Sequence, residues 1–84
     1  MPSRKSPPDL VKAVGHVLRA EREHLGWSQE ALAEKAGLDR TYLSGVERGA
    51  RSPNLRSVVK IASALKIKLS KLMLAAEARC ASGE

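Results

Sequence analysis

The chain has 84 residues, a length for one small domain with one modest core. Lys and Arg number 15 against 9 acidic residues, a formal net charge of +6 that favours a polyanionic partner. The single cysteine, Cys80, excludes an internal disulfide and a paired-cysteine metal site and suits a reducing cytoplasm, and no signal-peptide core or run of about 18 apolar residues argues for secretion or a membrane.

With one Trp, one Tyr and no Phe, the core must be aliphatic. Leu, Ala and Val dominate without strand-like alternation, so the expected fold class is all-α, a small bundle of five helices. Residues 1–8, MPSRKSPP, read as a flexible polar lead-in whose Arg4 and Lys5 are able to touch phosphate or the minor groove, although a solvated tail is the plainer reading. The domain is expected over 9–79 and a fraying tail over 80–84.

A first helix is predicted over 9–25, with Leu10, Val14, Val17, Leu18 and Leu25 on its apolar side and Gly26 as its stop. Gly15 costs such a helix about 1 kcal/mol relative to alanine, and a close helix–helix approach would explain it. His16 and His24 stand eight residues apart with no cysteine nearby and read as surface or boundary residues, not metal ligands.

Two short helices follow, over 29–36 and 40–48. Ser28 caps the first, with Trp27 before it and Leu32 at its fourth position, a hydrophobic-staple arrangement. Gly37 ends it and Asp39 caps the second after a very short connection. Helix, tight glycine turn, helix is the helix-turn-helix unit. Leu32, Ala33, Ala36, Leu38, Leu43 and Val46 are its expected core. At about 100° per residue, Tyr42, Leu43, Val46 and Glu47 share one side of the second helix, and Arg40, Thr41, Ser44, Gly45 and Arg48 the other. The latter face holds short or basic side chains and no acid. It can enter a DNA major groove. An arbitrary amphipathic helix would more often just present it to solvent, but the capped helix before it and the basic balance shift the reading to DNA.

Pro53 disfavours a helical Ser52, so 49–53 form a loop, and Asn54 caps a fourth helix over 55–65. Its apolar stripe is expected to be Leu55, Val58, Val59, Ala62 and Leu65. A fifth helix is predicted from after Ser70 to about Arg79. Leu72, Met73 and Leu74 are consecutive and cannot all face one small core. With Ile67 and Leu69 they are expected to form a homodimer interface, the plainer reading being one exposed side chain.

The stretch SQEALAEKAGLDRTYLSGVERGARSP resembles the helix-turn-helix domain of Cro/C1-type (XRE family) repressors, the lambda-repressor-like fold, and LDRTYLSGVERG is similar to the recognition helix of restriction–modification controller proteins. The resemblance spans about residues 14–74. It implies that Gln29 binds phosphate and braces the recognition helix, and that Arg22, late in the first helix, pairs with Glu47 in a structural salt bridge. The chain departs from the family in two places: Glu21 stands where an apolar residue is usual, and Lys66 where glycine often follows the fourth helix.

Arg40 and Thr41 fall in the first turn of the recognition helix, which reaches deepest into the groove. Arginine can grip guanine O6 and N7 with two hydrogen bonds. Base reading is favoured for Arg40; Thr41 is left open between base and phosphate. Tyr42 stands at the edge of the packed side, where its ring can pack while its hydroxyl reaches a phosphate. Ser44 lies a turn beyond Arg40, Gly45 permits close backbone approach, and Arg48 and Arg51 are expected on phosphates. The expected function is a sequence-specific regulator that binds a two-fold-related operator in double-stranded DNA as a homodimer. No cofactor, small-molecule substrate, membrane or catalytic constellation is expected. The rival reading is an antitoxin-type interaction module that also binds DNA and captures a protein through its last helix.

Overall fold

The computed structural model describes residues 7–81, with side chains over 10–80; the basic lead-in with Arg4 and Lys5, and the end of the proposed tail, lie outside the described residues. Five helices and no strand make up the described fold: α1 Pro7–His24, α2 Gln29–Ala36, α3 Arg40–Glu47, α4 Leu55–Leu65 and α5 Leu69–Ala81. α1 begins two residues before the expected start, because proline is tolerated in a first turn whose N–H groups have no helical partner.

Three side-chain caps set the starts of α2, α3 and α4. Ser28 Oγ accepts from the N–H of Ala31, Asp39 Oδ2 from Tyr42 and Asn54 Oδ1 from Ser57. Each cap satisfies an N–H three residues on, where the helix offers no carbonyl. Four helices end in the same way. The residue after the helix, or one beyond, takes a positive φ, and the next N–H reaches back five residues, as from Leu38 to the Ala33 carbonyl at 2.8 Å and from Ile67 to Ala62 at 3.0 Å. Three of these positions are glycine. The fourth is Lys66, with φ 60°, so the turn between α4 and α5 keeps the usual geometry on a residue that pays a steric penalty for it.

α1 packs mainly on α5 and α3, and α2 on α4 and α3. Their shared core holds Val14, Val17, Leu18, Leu32, Leu43, Val46, Ile61 and Leu72, lined by small alanines that let the helices cross closely. Trp27 folds over this core from the staple position, with Lys35 Nζ 4.8 Å from its ring centre. Gly15 is where α1 meets α3. A Cβ there would collide with the carbonyl oxygen of Val46 and stand 3.0 Å from that of Glu47. The close approach expected from the sequence is therefore to backbone, which cannot move aside.

Several expectations need correction. Leu72 is fully buried in its own core and offers nothing to a partner surface. On α4 the buried face runs through Ser57, Val58, Ile61, Ala62 and Leu65, which leaves Leu55 68% and Val59 46% exposed. The stripe is rotated because α2 and α1 approach from the Ile61 side, a direction that periodicity in one helix does not fix. Leu25 is also exposed, lying past the end of α1. At the other terminus, α5 starts earlier than Ser70, since the Leu72 N–H bonds the Lys68 carbonyl at 2.9 Å. It also continues past Arg79, burying Cys80 against the core where fraying was expected.

Candidate nucleic-acid interface

α3 is short, and its orientation is set by what it buries. Leu43 and Val46 are wholly inside, and so is Glu47, 1% exposed despite its charge. Arg22 meets it from the last turn of α1. Its Nε donates to Glu47 Oε2 at 2.8 Å and its Nη2 to Oε1 at 3.0 Å, while Nη1 donates to the Trp27 carbonyl at 2.7 Å. All three nitrogens of the guanidinium are thus committed. The hydrogen bonds to Glu47 hold the Arg22 pKa above its ordinary value, against the opposing effect of burial, with the attraction of the Glu47 and Glu23 charges adding to them. Gln29, the first residue of α2, donates from Nε2 to the same Glu47 Oε1 at 2.9 Å. One carboxylate therefore ties the end of α1, the start of α2 and the end of α3 together. The Arg22–Glu47 contact implied by the family resemblance is present, and Gln29 hydrogen-bonds the same carboxylate.

With Glu47 turned inward, the opposite side of α3 faces out. Arg40, Thr41 and Arg48 are exposed and Ser44 is half-buried. The Arg48 guanidinium reaches Ser44 Oγ at 3.5 Å, a loose contact. Arg51 and Arg56 add exposed cations just beyond α3. The ion pairs among the described residues join Arg19 to Glu23 and Arg22 to Glu23 and Glu47, and do not involve Arg40, Arg48 or Arg51. The result is a basic surface running from the first turn of α3 to the loop before α4.

Two residues differ from expectation. Tyr42 donates its hydroxyl to Ser57 Oγ at 3.2 Å, so in the free protein the group expected on a phosphate is engaged with α4. Gly45 is buried, not open: the stem of Arg51 lies across it. Ser57 and the Trp27 carbonyl are the participants that sequence reasoning missed. For Ser57 a signal existed, since it stands one position before Val58 and four before Ile61 on the buried face of α4.

The helix-turn-helix family model matches residues 18–72, from the middle of α1 into α5. The chain belongs to the helix-turn-helix family of XRE type. Among its relatives in that family, a hypothetical transcription factor of Neisseria meningitidis is 41% identical over 71 residues, 84% of this chain and 67% of the relative. The restriction–modification controller protein C.AhdI of Aeromonas hydrophila is 50% identical in its crystal structure, with a TM-score of 0.71 over 76% of this chain and 96% of that one. A second controller protein, C.Esp1396I, solved bound to a 25 base pair operator site, is 34% identical with a TM-score of 0.73 over 80% of this chain and 88% of that one. The two controller structures share the fold of this chain, and the family is one of transcriptional regulators. None of the described helices is long and apolar enough to cross a membrane.

Proposed function

We propose that this protein is a sequence-specific regulator of the restriction–modification controller kind, binding a two-fold-related operator in double-stranded DNA as a homodimer. The observation that carries the reading is the exposed basic face of α3, held outward because Arg22 and Gln29 hold Glu47 on the inner side. In this reading Arg40 reads a base edge from the major groove, with Thr41 and Ser44 beside it, and Arg48 and Arg51 neutralise phosphates. Gln29 serves through Glu47 and through the N-terminus of α2, where N–H groups favour an anion. No catalytic step enters the mechanism: the protein acts by occupying its site and displacing or recruiting the transcription machinery.

A second copy is assigned to the apolar surface that remains after folding. Leu74 is 66% exposed, Leu69 is exposed, and Ile67 and Met73 are partly covered. Leu55 lies beside Met73 in a shallow apolar groove with Leu10, Val14 and Pro53. An isologous contact there would set two α3 helices about 34–36 Å apart, one turn of duplex, or a multiple of that.

Selection of bound duplexes from a random pool tests the reading. The expected product is a two-fold-related sequence whose log affinity falls linearly with log salt, by about 0.9 per phosphate contact. Failure to retain any duplex at low salt would overturn it.

A further inference from the structure

Gly45 lies on the side of α3 that the helical repeat gives to solvent, yet it is buried. The atoms nearest the place of its missing Cβ belong to one side chain. A Cβ at Gly45 would run into the Cγ of Arg51 and stand 3.3 Å from its Cβ. The backbone sets up the overlap, because the Gly45 carbonyl accepts from both the Ala50 N–H at 2.8 Å and the Arg51 N–H at 3.1 Å, bringing the chain back over the helix. Further along the same side chain, the Arg51 guanidinium sits 5.1 Å from the centre of the Tyr42 ring, within cation–π range. The ring itself is anchored by its hydroxyl on Ser57 Oγ at 3.2 Å, and the Asn54 cap holds the Ser57 N–H at 2.8 Å. Arg51 therefore has a bare helix surface under its stem and a tethered ring under its head.

We propose that Gly45 and Tyr42 are positioning residues for Arg51, fixing its guanidinium beside the exposed face of α3 before DNA arrives. The inference rests on the DNA-binding reading above and reassigns Gly45: its missing side chain makes room for Arg51, not for the duplex. An exposed arginine loses rotamer freedom when it grips a phosphate, and restraint in the free protein removes part of that loss.

The test uses the full chain, the duplex selected above and four variants. Arg51→Ala should lose about ten- to hundredfold in affinity, the range of one charged hydrogen bond. Gly45→Ala should lose part of that factor, about two- to tenfold, and the double variant no more than Arg51→Ala alone. The melting temperature of Gly45→Ala should change little, since the better helix preference of alanine offsets the turn about Cα–Cβ that moves the Arg51 Cγ aside, whereas a packing role for Gly45 in the core would lower it by several degrees. Tyr42→Phe keeps the ring but loses its tether to Ser57, and should lose less affinity than Tyr42→Leu, which should behave like Gly45→Ala. In the free protein, proton NMR should find the Arg51 side-chain protons shifted upfield by the ring in the wild type and Tyr42→Phe, and unshifted in Gly45→Ala and Tyr42→Leu. Additive losses from Gly45→Ala and Arg51→Ala would show that Gly45 meets DNA directly and would overturn the proposal, as would an upfield shift that survives Gly45→Ala. A shifted Arg51 in a wild-type protein that binds no duplex would instead sink the DNA-binding reading and the positioning role together.

Discussion

Arg22 and Glu47 form a two-point ion pair inside the protein, 25 residues apart in sequence, with Arg22 8% and Glu47 1% exposed. A buried pair contributes little net stability when intact, because desolvation offsets the attraction, but losing one partner leaves a charge stranded. Glu47→Ala is expected to destabilise by about 3–5 kcal/mol in chemical denaturation. Arg22→Ala should cost a comparable amount and the double variant less than the sum, so strict additivity would count against the coupling. Because its pKa is raised in the folded state, Arg22 contributes fully at all pH below its ordinary value and loses that contribution only as pH climbs through the higher folded value. The pair should therefore add no pH dependence near neutrality from its arginine side.

Gly15→Ala should destabilise although alanine favours helix by about 1 kcal/mol. The new methyl meets the carbonyls of Val46 and Glu47, backbone that is itself held by the ion pair. Overpacking of this kind costs about 1–3 kcal/mol. A thermal melt that moved upward would show that α1 can slide away from α3.

Lys66→Gly should stabilise. A side chain at φ 60° carries a penalty of about 1–2 kcal/mol, partly offset by the greater freedom of glycine in the unfolded chain. The net expectation is a gain of about 0.5–1 kcal/mol, or a melting temperature higher by roughly 2–8 °C in a domain of this size. An unchanged or lower value would mean that the Lys66 side chain contributes contacts that outweigh its backbone.

Arg40→Ala should relax preference at one base position, with about 1–3 kcal/mol of discrimination lost there. Arg51→Ala should weaken all sequences alike. Comparing selected sequences for the two variants separates base reading from phosphate contact, and identical uniform losses would remove Arg40 from the base-reading role.

Leu74→Glu should shift the protein toward monomer while leaving its helical circular dichroism intact, since the side chain is two-thirds exposed in the protomer. Sedimentation equilibrium over a concentration series reads the shift. Affinity for a duplex with two half-sites should fall steeply, through loss of the effective concentration that joins them, and affinity for one half-site should hold. A wild type that stays monomeric throughout would exclude the interface.

The sequence by itself determined the elements and the turn between α2 and α3, because caps and stops act within three to five residues: Ser28, Asp39 and Asn54 each satisfy an N–H of their own first turn, and Gly37 supplies a positive φ locally. It also marked the exposed face of α3 through the plain contrast between Leu43 and Val46 on one side and Arg40 and Arg48 on the other. Only the tertiary structure decided which way each apolar face turned. Periodicity places Leu55, Val58 and Val59 on one broad stripe, but the approach of the neighbouring helices selects its Ile61 edge and leaves Leu55 and Val59 outside. Similarly, Leu72, Met73 and Leu74 are near-equivalent as letters, and the contact of α5 with α1 and α4 sends Leu72 inward and Leu74 outward. Gly45 shows the limit most clearly: helical phase puts it in the open, and a residue from the following loop covers it. Local hydrogen bonding is encoded over a few residues, whereas burial depends on what arrives from elsewhere in the chain.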